Sequence, residues 1–454
     1  MTMKIIIAGN GKVGTTLMRQ LAAEGHDLTI IDQSQNVLEL AVEQHDVIAM
    51  RGNCASMQVL LDAGVKEANL LIATTGADEV NLLCCMTAHG LNPALHTIAR
   101  IRNPEYTAQA HSMREMFALS MTINEEKQAA QEMERLLRFP GFLRRDTFAK
   151  GRAEIVELRI DENSKLKDLS LAQMYGIIGC KVLVCAVLRS GTAITPGGHF
   201  VLKEGDRIFV TAPTSNLALL LKNLGILTRR VKSCLIGGGG RITYYLTQLL
   251  QRDGIRVSIV EKDMERCRTL AELLPKAEIL QGDFSSRSDL ESAGIASCDA
   301  FLSLTGTDEM NMVTSLYATS RNVPQVITKL GQPGNAALAG DLSIGSVICP
   351  RELCSNNIVR YVRAMENQTG AAISVHGIAD EQAEAIEFLV DEKTKHCGVS
   401  LKELKLKPNV LLATISHDGT VEIPHGDSML TPGDSVVVVT TARGTLQKLN
   451  DIFA

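Results

Sequence analysis

The chain has 454 residues, of which 45% are hydrophobic and 21% charged, and at roughly 100–200 residues per domain it is long enough for three or four globular domains. Its net charge of −5 argues against nucleic acid as a partner, because a phosphate-binding surface normally carries a basic excess. No stretch reaches the ~18–20 consecutive apolar residues of a membrane span, and the N-terminus has no signal-peptide features. We therefore expect a cytoplasmic protein that does not itself cross a membrane.

Residue types restrict the chemistry further. Trp is absent and aromatic residues make up 4% of the chain, so the cores must be aliphatic, as in parallel strands covered by helices. The 11 cysteines are scattered without a Cys-x-x-Cys pair, and the 10 histidines form no His-x-x-x-His pair. This pattern favours buried thiols in a reducing compartment over a disulfide framework or a structural zinc site. We expect no metal centre.

The first predicted element is an apolar strand, Lys4 to Ala8, which runs into a glycine-rich turn and then a helix. A glycine motif in that context is the Rossmann fingerprint. Gly9 permits the tight turn, Gly11 lets the backbone approach a pyrophosphate, and Gly14 lets the helix pack close to the sheet. The helix N-terminus offers free N–H groups to phosphate. The predicted nucleotide contacts of this turn are Gly9, Asn10, Gly11, Lys12, Val13 and Gly14.

An acidic residue closes the next predicted strand. Asp32 lies 18 residues beyond Gly14, directly after an apolar run. A carboxylate there can accept both ribose hydroxyls of NAD or of an adenine nucleotide, and it repels the 2′-phosphate of NADP. Gln33 and Ser34 follow Asp32, so no arginine comes directly after it to bind a 2′-phosphate. We place Asp32 at the ribose and include Gln33 among the predicted nucleotide contacts.

The later strands of this unit also end in polar residues, and such ends line the ligand crevice of an open α/β sheet. Asp78 and Glu79 begin a predicted helix, so we interpret them as capping and dipole partners rather than a catalytic pair. Arg100 and Arg102 alternate along a strand, so we expect both to point toward phosphates; a solvated or salt-bridged pair is the alternative. The predicted contacts here are Asn53, Cys54, Thr74, Thr75, Asp78, Asn81, Arg100 and Arg102.

The chain then repeats itself. A predicted amphipathic helix, Glu125 to Arg138, and a hinge at Phe139-Pro140-Gly141 lead into a smaller unit rich in tight turns. Beyond it, Thr305 to Asn311 matches Thr75 to Asn81, and other matches keep an offset of 228 to 230 residues. A constant offset over many positions indicates an internal duplication.

The predicted architecture is therefore α/β, with two tandem repeats. Each repeat has a Rossmann-like, doubly wound parallel sheet followed by a small α+β domain, since short strands alternate with helices in the larger units. The predicted domains are residues 1–140 with a crossover helix, 150–228, 231–370 and 380–454.

The second repeat departs from the first at the glycine motif. Aligning Gly237-Gly238-Gly239 with the first motif puts Ile242 where the third glycine should be, and a branched side chain there is expected to push the helix off the strand. Glu261 and Asp283 remain as candidate ribose contacts, while Ile327 to Gly331 has lost most of the arginine charge. Nucleotide binding and a structural role both stay open for this repeat.

With these motifs, and with the Ala-Arg-Ile-Arg-Asn-Pro-Glu-Tyr stretch at residues 99–106, the whole chain resembles the regulator of potassium conductance (RCK/KTN) family in its tandem-repeat form. The resemblance implies a homotetrameric ring of Rossmann units that binds NAD(H) or ATP/ADP. It also implies docking on the cytoplasmic face of a Trk-family potassium-transporting membrane protein, whose ion flow the ring controls.

The rival from another class is an NAD-dependent oxidoreductase. Such an enzyme needs a proton donor or acceptor beside the nicotinamide and a substrate domain. Here only about 75 residues follow each Rossmann unit, without a histidine-plus-acid constellation, so we expect no catalysis. For the ring, we expect the apolar helix faces around Leu136 and Val359 to join neighbouring units.

Overall fold

The computed structural model describes residues 2–112, 114–138, 142–225, 231–332, 334–335, 342, 344–365, 372–380, 382–442, 444, 446 and 448–454. The predicted hinge at Phe139-Pro140-Gly141 lies outside the described residues. All 11 cysteines are free thiols. Within the described ranges, no helix combines the length and apolarity needed to cross a bilayer.

Strands and helices alternate through the first repeat, as the sequence predicts. They are β1 (Lys4–Ala8), α1 (Lys12–Ala23), β2 (Asp27–Asp32), α2 (Gln35–Gln44), β3 (Ile48–Arg51), α3 (Met57–Asp62), β4 (Leu70–Ala73), α4 (Asp78–Leu91), β5 (His96–Arg100), α5 (Pro104–Ser112), β6 (Met121–Ile123) and α6 (Glu125–Arg138). The strands form one parallel sheet in the order β3-β2-β1-β4-β5-β6. The carboxyl ends of β1, β2, β4 and β5 therefore meet at one edge.

A small antiparallel sheet follows. Its elements are β7 (Arg144–Phe148), β8 (Ala153–Arg159), α7 (Leu171–Ile178), β9 (Leu183–Arg189), β10 (Thr192–Ile194), β11 (Arg207–Pro213) and α8 (Thr214–Leu224), with strand order β10-β9-β11-β8-β7. The predicted turn before β11 is built on Asp206, whose carboxylate accepts the Lys203 N–H at 2.7 Å. Asp206 and its neighbours are therefore polar because they stabilise a tight turn.

The second repeat has the same order of strands. It contains β12 (Ser233–Gly237), α9 (Arg241–Arg252), β13 (Arg256–Glu261), α10 (Met264–Leu273), β14 (Glu278–Gln281), α11 (Arg287–Ser292), β15 (Ala300–Ser303), α12 (Asp308–Ser320), β16 (Gln325–Lys329), β17 (Ser346–Ile348) and α13 (Pro350–Met365), then β18 (Ala372–Ile378), β19 (Ala383–Leu389), β20 (Val410–His417), β21 (Thr420–Glu422) and β22 (Ser435–Thr440). The sheet orders are β14-β13-β12-β15-β16-β17 and β18-β19-β22-β20-β21. The predicted fold class is confirmed.

The two small sheets share one hydrophobic core. Phe148 and Phe209 from the first sheet are 1% exposed and pack in the same cluster as Ile378 and Val437 from the second. At one border of this core, His376 Nδ1 lies 3.0 Å from an Asp146 carboxylate oxygen. The sheets therefore pair within the chain.

Contacts divide the chain into two compact units that do not coincide with the two repeats. One unit contains Met1–Ala129 together with Cys349–Val362, which includes most of α13. The other contains the remaining residues, including the last nine of α6. In the first unit, Gln20 Nε2 donates to Asn356 Oδ1 at 3.1 Å. In the second, Arg138 Nη2 lies 3.2 Å from Asp253 Oδ1. Each parallel sheet thus packs with part of the long helix of the other repeat.

This exchange corrects one expectation about oligomer contacts. Leu136 is fully buried and Val359 is 6% exposed within the chain itself. Their apolar faces are therefore covered by intramolecular packing and are not available to join subunits.

A buried carboxyl group on α6 leads to a prediction about stability. Burial raises the pKa of Glu132 to about 7, and the nearby Asp146 carboxylate adds to this rise. The charged form is therefore penalised in the folded state, so the folded protein loses stability as pH rises from about 4.3 through 7. We expect Glu132→Gln to raise the free energy of unfolding by roughly 2–3 kcal/mol at pH 8 and to leave it unchanged near pH 4.

Chemical denaturation across this pH range measures the effect. The matched control is Glu162→Gln, because Glu162 is exposed and its replacement should change little at either pH. A Glu132→Gln effect that does not vary with pH would contradict the assignment of the penalty to the charged carboxylate.

Candidate functional site

The glycine turn between β1 and α1 has the geometry that phosphate binding requires. Gly9 has φ of +94°, and a Cβ there would lie 2.8 Å from the Thr75 amide nitrogen. Gly11 caps α1 with extended backbone, and among the described residues no side chain caps the first N–H groups of the helix. A Cβ on Gly14 would overlap the Gly9 carbonyl oxygen. Both outer glycines are therefore required sterically.

Asp32 lies beside this turn at the end of β2. Its Oδ2 accepts the Asn10 N–H at 2.7 Å and its Oδ1 accepts the Ser34 N–H at 2.9 Å. Each carboxylate oxygen keeps a further lone pair for a ligand hydroxyl. Asn10 is 4% exposed, and its amide oxygen has no hydrogen-bond partner within the part of the chain that the structure describes. A buried acceptor of this kind fits a donor from a ligand.

The β4–α4 loop is fixed by one amide side chain. Asn81 is fully buried; its Oδ1 accepts from the Thr75 amide at 2.9 Å, and its Nδ2 donates to the Arg100 carbonyl at 2.9 Å. Thr74 donates from Oγ1 to the Gly9 carbonyl at 2.8 Å. These bonds join the ends of β1, β4 and β5, so Thr74 and Asn81 shape the crevice from beneath.

Asp78 does not act as the predicted helix cap. Ala77 is the N-cap of α4 and makes no side-chain capping bond. The Asp78 carboxylate instead accepts the N–H groups of Arg102 and Asn103 at 2.8 and 2.7 Å. A short carboxylate at the first helical position reaches across to the next strand end, where two backbone donors point the same way. Asp78 therefore orders the loop after β5.

The two arginines have different partners. Arg100, the last residue of β5, forms a two-point ion pair with Glu125, with its Nε 3.0 Å from Glu125 Oε2. Arg102 lies beyond the strand end, where the strand alternation no longer holds, and it donates from Nη2 to the Gly76 carbonyl at 2.6 Å. Only Arg102 is held on the β4–α4 loop. The expectation that the two arginines alternate on one strand is wrong, because β5 ends at Arg100.

The remaining predicted residues of this repeat lie around the same edge. Lys12 and Gln33 are exposed, and Val13 is buried in the first turn of α1. Asn53 is exposed and accepts the Ala55 N–H at 3.1 Å. Cys54 is 5% exposed and packs in the hydrophobic core of the sheet. Helix N–H groups, a ribose-type acceptor and a nearby guanidinium thus come together, which fits a ribonucleoside phosphate.

The second repeat requires a correction to the glycine alignment. Gly238, not Gly237, has the φ of +94° found at Gly9. Gly240 caps α9 with φ −74° and ψ −177°, close to the −68° and −163° of Gly11. Thr243 therefore takes the place of the third glycine, and Ile242 corresponds to Val13. Helix α9 begins at the same point of its repeat as α1, so a threonine at this position does not prevent the helix from starting there.

An exchange of hydroxyl groups accompanies this threonine. Thr243 is fully buried and donates from Oγ1 to the Gly238 carbonyl at 2.5 Å. In the first repeat the equivalent carbonyl accepts from Thr74, whose counterpart is Leu304. The hydroxyl that satisfies this carbonyl has thus moved from the strand end to the helix.

Gly237 serves a different purpose, because it belongs to strand β12. A Cβ on Gly237 would overlap the ring of Phe284, which stacks on Phe301 with ring centroids 5.3 Å apart. The first repeat has Ala8 and Cys54 at the positions of Gly237 and Phe284. The glycine therefore makes room for an aromatic ring and has no part in the turn.

The acidic residues of the second repeat are held by the backbone and by a lysine. Glu261 Oε2 accepts the Gly239 N–H at 2.6 Å, as Asp32 does from Asn10. Asp283 pairs with Lys262 at 2.9 Å, and its pKa is lowered, chiefly by hydrogen bonds from Ser285. Glu261 thus keeps the position of the ribose acceptor, while the charge of Asp283 is balanced by Lys262.

Family comparisons agree with this architecture. The TrkA-N domain family matches residues 5–124 and 234–350, and the TrkA-C domain family matches residues 155–225 and 385–454. A TrkA homolog from Archaeoglobus fulgidus is 31% identical, with an alignment that covers 99% of this chain and 100% of the relative. TrkA from Haemophilus influenzae is 28% identical, covering 99% and 98%.

Solved structures share the fold. The GsuK RCK domain has a TM-score of 0.62 at 17% identity and covers 97% of this chain and 93% of its own. The GsuK channel bound to NAD has the same TM-score and identity, covering 97% and 77%. The tandem TrkA-N and TrkA-C domains and the full-length relatives confirm the resemblance found in the sequence, and the chain belongs to the family of Trk system potassium uptake proteins of the TrkA type.

Proposed function

We propose that this chain is the cytoplasmic regulatory subunit of a Trk-type potassium transporter, that it binds NAD(H) or ATP/ADP, and that it catalyses no reaction. The observation that carries the proposal is the pairing of the open N-terminus of α1 with the Asp32 carboxylate beside it. A phosphate-binding helix end and a ribose acceptor at that spacing fit an adenine nucleotide without a 2′-phosphate.

The comparisons support both halves of the proposal. Full-length relatives carry the name of a potassium uptake protein, and a channel of the same fold has been solved with NAD bound. In this scheme a homotetrameric ring docks on the cytoplasmic face of the membrane subunit. A nucleotide then controls ion flow only through its difference in affinity between two ring states.

Asp32→Ala is the direct test of the nucleotide site. We expect it to weaken binding by about 1–3 kcal/mol, because charge-assisted bonds to the ribose are lost. Calorimetric titration with ATP, ADP, NAD and NADH measures the change and counts sites per chain. Glu261→Ala is the matched variant in the second repeat, and we expect a smaller effect there. Unchanged nucleotide affinity in a folded Asp32→Ala protein would show that Asp32 does not bind the ribose.

The absence of catalysis is tested with the wild-type protein. We expect no steady oxidation of NADH with small carbonyl substrates at protein concentrations that saturate binding. Sustained turnover that Asp32→Ala abolishes would instead favour the oxidoreductase hypothesis.

Exposed apolar side chains on two equivalent helices support a ring. On α4, Leu83 and Met86 are 53% and 39% exposed, and at the same positions of α12 Val313 and Leu316 are 61% and 39% exposed. Large exposed apolar side chains recurring at fixed positions are typical of an interaction surface.

We expect light scattering at micromolar concentration to report a tetramer. Leu83→Asp and Val313→Asp should each shift the protein toward smaller species, since a carboxylate on this surface would be buried without a partner. The matched control is Leu40→Asp, because Leu40 is 54% exposed on α2. A wild-type monomer would contradict a ring that forms without the membrane subunit.

A further inference from the structure

The first small domain (β7 to α8) and the second small domain (β18 onward) contact each other through equivalent residues. In the first, Asp146 on β7 faces Ile155 on β8. In the second, His376 on β18 faces Ala385 on β19, at the same place in the register. Asp146 and His376 are thus equivalent residues that touch each other, with His376 Nδ1 3.0 Å from Asp146 Oδ1. Equivalent positions in mutual contact mark a pseudo-twofold axis between the two domains.

Contacts on the two sides of this axis are reciprocal. Gln382, directly before β19, donates to the Gly191 carbonyl in the turn between β9 and β10. Arg152, directly before β8, lies against Gly419 in the turn between β20 and β21, where a Cβ would be 2.5 Å from Arg152 Nη1. Each contact therefore has a counterpart related by the axis. The two small domains pair in the manner of a symmetric homodimer.

The residues at the axis are not the same, however, and their charges are complementary. Burial opposes ionisation of Asp146, but Arg144 and His376 hold the pKa of its carboxyl group at about 2. Asp146 is therefore an anion at neutral pH. A second Asp146 in the place of His376 would bring two carboxylates into contact, which is strongly unfavourable.

A second charged contact has the same asymmetry. Arg207, the first residue of β11, reaches across to Asp380, with its Nη1 2.9 and 2.7 Å from the two carboxylate oxygens. The sequence has Ser435 and Lys150 at the equivalent positions, two residues beyond β7 in the case of Lys150. A pair of two first small domains would therefore offer Arg207 no acidic partner.

We propose that Asp146, His376, Arg207 and Asp380 determine the choice of partner: a first small domain accepts the second small domain of its own chain and rejects the first small domain of another chain. Each chain has one domain of each kind, so excluding pairs of first small domains leaves only mixed pairs. The covalent link within a chain then favours its own mixed pair over one with a second chain. The inference does not depend on nucleotide binding, and it leaves other surfaces to join the chains of a ring.

The experiment measures this pairing in the full chain with two introduced cysteines. Thr195 and Thr441 belong to different small domains, and their hydroxyl oxygens are 3.5 Å apart, so sulfur atoms at these positions come within bonding reach. Oxidised glutathione is used to join Thr195→Cys to Thr441→Cys. Denaturing electrophoresis and peptide mass spectrometry then show whether the bond lies within one chain or between two.

In this parent variant we expect rapid formation of the bond within one chain. Adding His376→Asp places two carboxylates at the axis, and adding Asp380→Lys leaves Arg207 facing a cation; each should slow the bond about tenfold. Asp146→His combined with His376→Asp restores one acid and one histidine, and should return the rate to within about threefold of the parent. The matched control is His396→Asp, since His396 is an exposed histidine of the second small domain and its replacement should change little.

The exchanged pair is the decisive variant. If Asp146→His with His376→Asp stays as slow as His376→Asp alone, or if either single variant is as fast as the parent, the charges do not determine the choice of partner. Covalent dimers linked from position 195 to position 441 would overturn pairing within one chain. Amide exchange in β1 and β12 checks that the parallel sheets stay folded, and recovery in the exchanged pair distinguishes charge repulsion from a loss of folding in the small domains.

Discussion

Gly14→Thr should lower the free energy of unfolding of the first parallel sheet by about 2–4 kcal/mol and remove nucleotide binding there. A Cβ at this position overlaps the Gly9 carbonyl oxygen, so the helix must move away from the strand. The N–H groups at the start of α1 then no longer point toward the phosphates. Because the chain has several domains, amide exchange in β1 and β4 is the appropriate measure of local stability.

The second repeat supplies the rescue for this variant. It carries Thr243 and Leu304 where the first repeat has Gly14 and Thr74, and the Thr243 hydroxyl satisfies the Gly238 carbonyl. Adding Thr74→Leu to Gly14→Thr should therefore recover about 1 kcal/mol or more, a coupling that two independent sites would not show.

Gly11→Ala is the steric control for the same turn. Nothing lies within 4 Å of a Cβ at Gly11, and its φ of −68° suits any residue. We expect local stability to stay close to that of the wild type. Equal losses from Gly11→Ala and Gly14→Thr would contradict the steric explanation.

Phe284→Ala should cost about 3–5 kcal/mol of local stability in the second parallel sheet, the range for deleting a buried aromatic ring. Phe284 is 6% exposed and stacks on Phe301. Gly237→Ala should also destabilise, by about 1–3 kcal/mol, because its new methyl group overlaps the Phe284 ring.

The two changes should be strongly non-additive. In the double variant the methyl group added at position 237 enters the space that the Phe284 ring leaves. The first repeat has this combination of small residues, since Ala8 and Cys54 occupy the equivalent positions in one hydrophobic cluster. We expect the double variant to be more stable than the sum of the single losses by about 1–3 kcal/mol, measured by amide exchange in β12 and β15. Simple additivity would mean that the ring and the glycine do not depend on each other.

Much of the fold was predictable because it rests on local patterns. The βαβ alternation, the turn around Gly9 and the acid at Asp32 all follow from residue types at short spacings. The alignment of the second glycine motif failed for a physical reason. Gly237 to Gly240 are four consecutive glycines without side chains to mark a register, and only backbone geometry separates the strand residue Gly237 from the turn.

The rest depended on contacts between distant residues. Arg100 and Glu125 are 25 residues apart. The alternating arginines do not indicate that one of them will form an ion pair with the first residue of a helix. Likewise, an amphipathic pattern shows that a face is buried, but Leu136 and Val359 do not reveal what covers them.

The exchange of long helices has a consequence for synthesis on the ribosome. Domains usually fold in order as the chain emerges. Here the first compact unit needs residues 349–362, which contribute Asn356 to Gln20 and Tyr361 to His96. The final packing of this unit therefore forms only after most of the second repeat has been translated. The duplication therefore copied a segment of sequence that does not pack as one compact unit. The first compact unit instead combines the beginning of the chain with a helix from the second repeat.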